Sequence, residues 1–370
     1  MNYKAAVVPE QGKVVVKEFE KPDVLKRDMI VKVLLAGVCG TDVHLVYDDG
    51  EKPWKEFRLG HEWVGRIEEM GQGAIHEDSF GNALSVGDRI VCYPKTWACG
   101  ECYTCKILLQ PNLCLRPPLG RELPDMGSAF SEYIYIPDGS TIFRIPDDMK
   151  TEEAVLVEPF AGALRAFERA FAPGVPDRAQ GFGPGKSVVI EGSGTIGTIM
   201  TILAKNSGAY PIIVIGGPEN RLEKCREYGA DIIIDIACMT REERLEMVLK
   251  NTVKQLGADA VFECAGVPSA FVDGISMTRP GGTFVEFGHY TRRGTIPFDP
   301  FEVCQKDIQI FGSWGYGPQE FGTALRVIQA CKNQGVDFSR MITHRFSLAD
   351  IQTALDVARR QDCTKAVIEC

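Results

Sequence analysis

No apolar run in this 370-residue chain is long enough to cross a bilayer, and the opening stretch MNYKAAVVPEQGKVVVKEFE lacks the apolar core of a signal peptide. A cytoplasmic location is therefore expected. No low-complexity tract and no block of like charges is present, which excludes a disordered chain. A basic stripe is also missing. With 41 Lys and Arg against 50 Asp and Glu, the formal net charge of -9 argues against nucleic-acid binding, because phosphate backbones are held by a basic face. What remains is a soluble globular chain with a core large enough for two domains. The thirteen cysteines are an odd number in a large chain without a secretory signal, a setting that favours metal binding over disulfides.

From the start to about residue 150 the chain reads as short β-strands: KAAVVPE, KVVVKEFE, DMIVKVLLAGVC, WVGRIEEMG, DRIVCYP and SEYIYIP. Gly, Pro and Asp separate them, as in a β-rich domain whose loops carry the chemistry. After Val155 the texture becomes helical in EEAVLVEPFAGALRAFERAFA. It then alternates strand and helix through KSVVIEGSGTIGTIMTILAKNSGAYPIIVIGG, NRLEKCREYG, DIIIDI, ADAVFECAG and GGTFVEFG. That alternation predicts a doubly wound parallel α/β sheet. The segment after about residue 310 is free to pack on either domain.

Two metal candidates stand out. In TWACGECYTCKILLQPNLC, Cys99, Cys102 and Cys105 repeat as C-x2-C-x2-C and Cys114 follows. A disulfide staple, a redox pair and a thiol nucleophile are alternatives, but four thiolates suit tetrahedral zinc and leave no position for substrate, so the site would be structural. A second set is scattered: Cys39 in AGVCGTDVH, His61 and Glu62 in RLGHEWVG, and Glu158 in VLVEPFAG. One Cys, one His and one carboxylate are a catalytic zinc's mixture, with one position kept open. Spacing alone does not bring them together, and Cys39 also reads as a buried thiol and His61-Glu62 as an ordinary polar pair.

GSGTIG, with Gly192, Gly194 and Gly197 around Thr195 and Ile196, follows a predicted strand and opens a predicted helix. In that context G-x-G-x-x-G reads as a dinucleotide loop: the glycines allow close pyrophosphate approach and the helix N-terminus supplies N–H donors. The next strand ends in Gly216 and Gly217 where NAD-specific sheets carry an acid; Glu219 comes a few residues late, and Arg221 suits either a ribose or a 2′-phosphate. NAD against NADP is left open.

Together GVCGTDVH, GHE, the four-cysteine lobe, VEP, GSGTIG, RLEKCREYGAD, ECAG and ITHRFSLADIQTAL resemble the zinc-dependent medium-chain dehydrogenases, the group of alcohol, sorbitol and threonine dehydrogenases, nearly end to end. The resemblance implies a β-rich GroES-like catalytic domain, residues 1–161 and 311–370, and a Rossmann domain, residues 162–310, with the active cleft where they meet. It implies that Cys39, His61 and Glu158 surround a catalytic zinc, with Glu62 as alternate ligand and Asp42 behind His61. It matches Thr41 and His44 to the proton relay, and carries cofactor contacts to Ala265 in ECAG and Gly288 in VEFG. The implied activity is hydride transfer between a secondary alcohol, a polyol or other small hydroxylated metabolite, and NAD or NADP, in a homodimer or homotetramer. An NAD(P)-binding sensor or structural subunit that has lost catalysis is the alternative.

Two departures widen the substrate expectation: a longer gap between Cys105 and Cys114, and the insertion AIHEDSFGNALSVGDR. Lys95, Arg58 and Arg121 are candidates for attracting an anionic substrate, with solvated surface charges as the alternative.

Overall fold

The structure is a computed structural model that describes residues 2–48, 56–94, 98–115, 128–171, 182–290 and 294–370. The chain forms two compact units, Met1–Ala161 with Tyr316–Cys370, and Gly162–Gly315. No helix among the described residues is long and apolar enough to cross a membrane.

The first unit is built on a sheet ordered Ile342–Ser347, Lys365–Glu369, Met29–Gly37, Glu62–Met70, Arg89–Cys92 and Ile142–Arg144, with Tyr133–Ile136 pairing off the third of these. In MIVKVLLAG only Lys32 is exposed, so the β-branched and aliphatic side chains of this strand fill the core on both faces. Register decides what meets at its end: Gly37 pairs with Glu62 on one side and with Val367 on the other. A strand that comes late in the chain therefore lies beside residues that come early. The helix Val157–Ala170 starts with Glu158 and Pro159 in its first turn, where a missing N–H costs nothing and an acidic side chain suits the helix dipole. The insertion after residue 73 folds on buried Asp78, whose carboxylate accepts the backbone N–H groups of Phe80, Asn82 and Arg144, each at 2.8 Å.

The second unit is a six-stranded sheet in the order Ile232–Asp235, Ile212–Gly216, Val188–Glu191, Ala258–Glu263, Thr278–Glu286, Gln309–Gly312. All of its ladders are parallel, which is the doubly wound arrangement expected from the alternation of strands and helices. The strand order reverses at Val188–Glu191, so the crevice beyond its carboxyl end is the ligand position of such sheets. Gln309–Gly312 extends this sheet in parallel with Thr278–Glu286. The return to the first unit accordingly falls at Tyr316 rather than at residue 311.

Candidate active site and nucleotide loop

Cys39 caps the helix Gly40–Tyr47, and Asp42 in that helix's first turn organises the surroundings. Buried Asp42 accepts the Cys39 backbone N–H at 2.9 Å through Oδ2 and the Gly60 N–H at 3.4 Å through Oδ1. The same Oδ1 lies 3.6 Å from His61 Nδ1, which directs Nε2 toward Glu158 Oε1 at 4.0 Å. A histidine fixed through one nitrogen by a carboxylate is the arrangement that orients a metal ligand. Ligand atoms of Cys39, His61 and Glu62 lie within 4.8 Å of one another, so the scattered residues do converge. Burial would lower the His61 pKa, but Asp42 and Glu158 outweigh it and hold it well above its usual value. Burial pushes Glu158 up to about 7, with His61 pulling it back and Glu62 adding to it. The pocket thus gathers acidic groups around a histidine and a thiol, a donor set that fits a divalent zinc ion.

The two candidate carboxylates differ in their partners. Glu158 accepts a hydrogen bond from the Tyr316 hydroxyl, and Tyr316 is itself held by Tyr93, whose hydroxyl donates to the Tyr316 carbonyl at 2.9 Å. Glu62 is engaged by the ammonium of Lys365, both side chains being only 1% exposed, and Lys365 also donates to the Val38 carbonyl at 3.0 Å. Gly37 makes this possible, since a Cβ there would run into the Glu62 carboxylate and the Lys365 side chain. Neither Tyr316 in SWGY nor Lys365 in TKAVIE carries a motif. Both reach the site through folding, and residue order gives no signal for either.

Thr41 Oγ1 lies 3.6 Å from the Cys39 sulfur, and His44 Nδ1 pairs with Asp48 Oδ2 at 2.8 Å. Of the candidate anion-attracting residues, Arg58 is occupied elsewhere: its guanidinium stacks 3.9 Å from the Phe19 ring centroid and donates to the Tyr3 hydroxyl at 2.8 Å. Lys95 and Arg121 lie outside the described residues.

The four lobe cysteines form a second gathering. Sulfur-to-sulfur distances of 3.4 Å for Cys102–Cys105, 3.6 Å for Cys114–Cys99 and 3.9 Å for Cys102–Cys114 are too long for disulfides. They match the roughly 3.8 Å edge of a tetrahedron with zinc–sulfur bonds of about 2.3 Å. Hydrogen bonds from the Thr104 hydroxyl and the Cys105 backbone bring the Cys102 thiol down to about 5, while burial pushes Cys105 up to about 12. Four adjoining thiols share negative charge poorly without a cation, so the chemistry of the set fits zinc.

In the second unit the glycine loop is shaped by packing. Gly192 has φ +117°, and a Cβ there would come 2.9 Å from the Cys264 carbonyl carbon; a Cβ on Gly197 would collide with the Gly192 carbonyl. Gly194 caps the helix Thr195–Asn206, whose first turn contains Thr195 and Ile196, so the positive end of the helix faces the loop. Arg221, in the helix Glu219–Glu227, places Nη1 3.8 Å from where a Gly194 Cβ would stand. At Gly216 that space is filled by Ser193. Ala265 and Gly288 have their backbone N–H groups committed to buried Glu263, at 2.7 and 3.0 Å, and the Gly288 carbonyl accepts the Tyr290 N–H at 2.9 Å. Burial first, then neighbouring Glu286, pushes Glu263 up to about 8. The glycine cradle and the open helix N-terminus fit a dinucleotide pyrophosphate.

Residues 26–147 match the alcohol dehydrogenase GroES-like domain and residues 195–330 match the zinc-binding dehydrogenase domain. The 5-exo-hydroxycamphor dehydrogenase of Pseudomonas putida is 31% identical, the match covering 100% of this chain and 99% of the relative. The sorbitol dehydrogenase of Bacillus subtilis (strain 168) is 30% identical, over 99% and 97%. Among solved structures, an alcohol dehydrogenase from Thermotoga maritima superposes with a TM-score of 0.87 at 28% identity, covering 100% of this chain and 99% of that one.

Proposed function

The chain belongs to the zinc-dependent medium-chain dehydrogenases, and from that membership we propose that it interconverts a secondary alcohol and its ketone with NAD(P) at the Cys39–His61 centre. The observation that carries the reading is the convergence of Cys39, His61 and two carboxylates, separate from the closed four-sulfur cage. Cys39, His61 and Glu158 would hold the catalytic zinc, and Cys99, Cys102, Cys105 and Cys114 the structural one. When bound, zinc supplies Lewis acidity toward the substrate hydroxyl and the nicotinamide supplies a hydride acceptor.

The chain's own residues do the rest. Asp42 fixes His61 so that Nε2 faces the ligand position. Tyr316 orients Glu158, and Lys365 retains Glu62 as a reserve carboxylate. Thr41 Oγ1 takes the hydroxyl proton and passes it outward toward His44, whose ring is positioned by the contact of Nδ1 with Asp48 Oδ2 at 2.8 Å. The glycine loop and the Thr195 helix N-terminus hold the pyrophosphate. The names of the sorbitol and hydroxycamphor dehydrogenases support a small hydroxylated substrate, a polyol or a ring alcohol. A homodimer or homotetramer in the cytoplasm completes the reading.

The test is a panel of secondary alcohols and ketones assayed in both directions with both cofactors, alongside zinc analysis. Turnover of a secondary alcohol by protein with two zincs per chain is expected. A folded, doubly zinc-loaded protein that turns over nothing while binding cofactor would replace this reading with that of a sensor.

A further inference from the structure

In the parallel sheet, the strand Ile212–Gly216 ends without the carboxylate that receives ribose hydroxyls in NAD-specific members of this fold. Packing explains why none can be there. A Cβ on Gly216 would stand 2.5 Å from Ser193 Oγ and 2.9 Å from Ser193 N, so no side chain can leave the strand at that point. Ser193 is fixed in turn by Gly217, exchanging hydrogen bonds of 3.0 Å with its carbonyl and its N–H.

The space beside Gly217 is different. A Cβ there would meet nothing closer than 3.5 Å, and one of the atoms at that distance is Oδ1 of Asp235. Asp235 ends the neighbouring strand Ile232–Asp235, in register with Gly216, and the Ile236 N–H donates to the Gly216 carbonyl at 2.9 Å. The two strand ends are therefore tied together. Oδ1 accepts the Ala237 N–H at 2.8 Å, a local turn that fixes the carboxylate's orientation, and Oδ2 has no protein partner among the described residues. Arg221 lies elsewhere along the crevice, with Nη1 next to Gly194 at the helix N-terminus where a pyrophosphate sits.

We propose that Asp235 replaces the missing carboxylate from the adjacent strand: it accepts the adenosine ribose hydroxyls and selects NAD over NADP, while Arg221 serves the pyrophosphate. A 2′-phosphate at that place would set a second anion against the Asp235 carboxylate, whereas a 2′-hydroxyl would donate to Oδ2. The assignment rests on the oxidoreductase reading above and names the cofactor for it.

Equilibrium titration of the intact protein with NADH and with NADPH, read by calorimetry and not by turnover, tests it. The native protein is expected to bind NADH tighter than NADPH by about tenfold or more. Asp235→Asn keeps an oxygen for the Ala237 N–H and removes the charge; it should bring the two affinities to within about threefold. Arg221→Gln should weaken both cofactors by a similar factor. NADPH bound as tightly as NADH by the native protein, or a preference that survives in folded Asp235→Asn, overturns the assignment. The native ratio needs no variant, so the proposal stays exposed even where a substitution unfolds the chain. Binding of neither cofactor by folded native protein removes the oxidoreductase reading and this assignment with it.

Discussion

The four-cysteine lobe and the Cys39–His61 centre both gather metal-binding side chains, yet they are assembled in opposite ways. Every sulfur of the lobe comes from one short segment, Cys99 to Cys114, and the sulfurs are one another's main neighbours. The Cys39–His61 centre draws on a helix cap, a strand end, the first turn of a distant helix and, through Tyr316 and Lys365, on segments beyond the whole second unit. A cage made by one loop can only hold that loop. A centre made by many elements has each donor supported from behind, and its donors are unequal, which suits a site that must leave one position open.

Removing one donor from each region is the strongest way to test that contrast. His61→Ala should lower turnover by about a thousandfold or more and leave one zinc per chain with the melting curve little changed; two retained zincs on metal analysis would contradict the ligand assignment. Lys365→Met should strand the buried Glu62 carboxylate and cost about 3–5 kcal/mol in denaturant unfolding. A shift within error would mean that the pair contributes nothing. Cys102→Ser should likewise leave one zinc, but lower the melting temperature by about 5 °C or more, so full zinc content and an unchanged melt would refute the structural cage. The smallest effect belongs to Asp42→Asn, which should weaken zinc retention by about 10- to 100-fold in chelator competition, with fold intact. Equal retention would make Asp42 a helix-cap residue only.

The same contrast explains what could be read in advance. C-x2-C-x2-C and G-x-G-x-x-G announce themselves because their chemistry needs neighbours in sequence, and the parallel sheet showed in the alternation of apolar strands with helices. Cys39, His61 and Glu158 needed family resemblance to be linked, since no spacing rule joins them. Tyr316 and Lys365 were silent: a buried lysine in TKAVIE looks like any strand lysine until register places it against Glu62. Arg58 went the other way. Its charge suggested an anion site, but the fold stacks it on Phe19. The end of the strand at Gly216 could be seen to lack an acid, but not that Ser193 forbids one.

The Lys365–Glu62 contact also sets an order of events in the ribosome's time. Cys39, His61, Glu62 and Glu158 are all made before the second unit, and Lys365 follows Glu158 by some two hundred residues, about 10–40 s of synthesis. Throughout that interval the nascent first unit carries Glu62 without its counter-charge, and until Tyr316 is made it also carries Glu158 without that partner. Addition of the strand Lys365–Glu369 supplies the ammonium that meets Glu62, and the pair is buried in the finished fold.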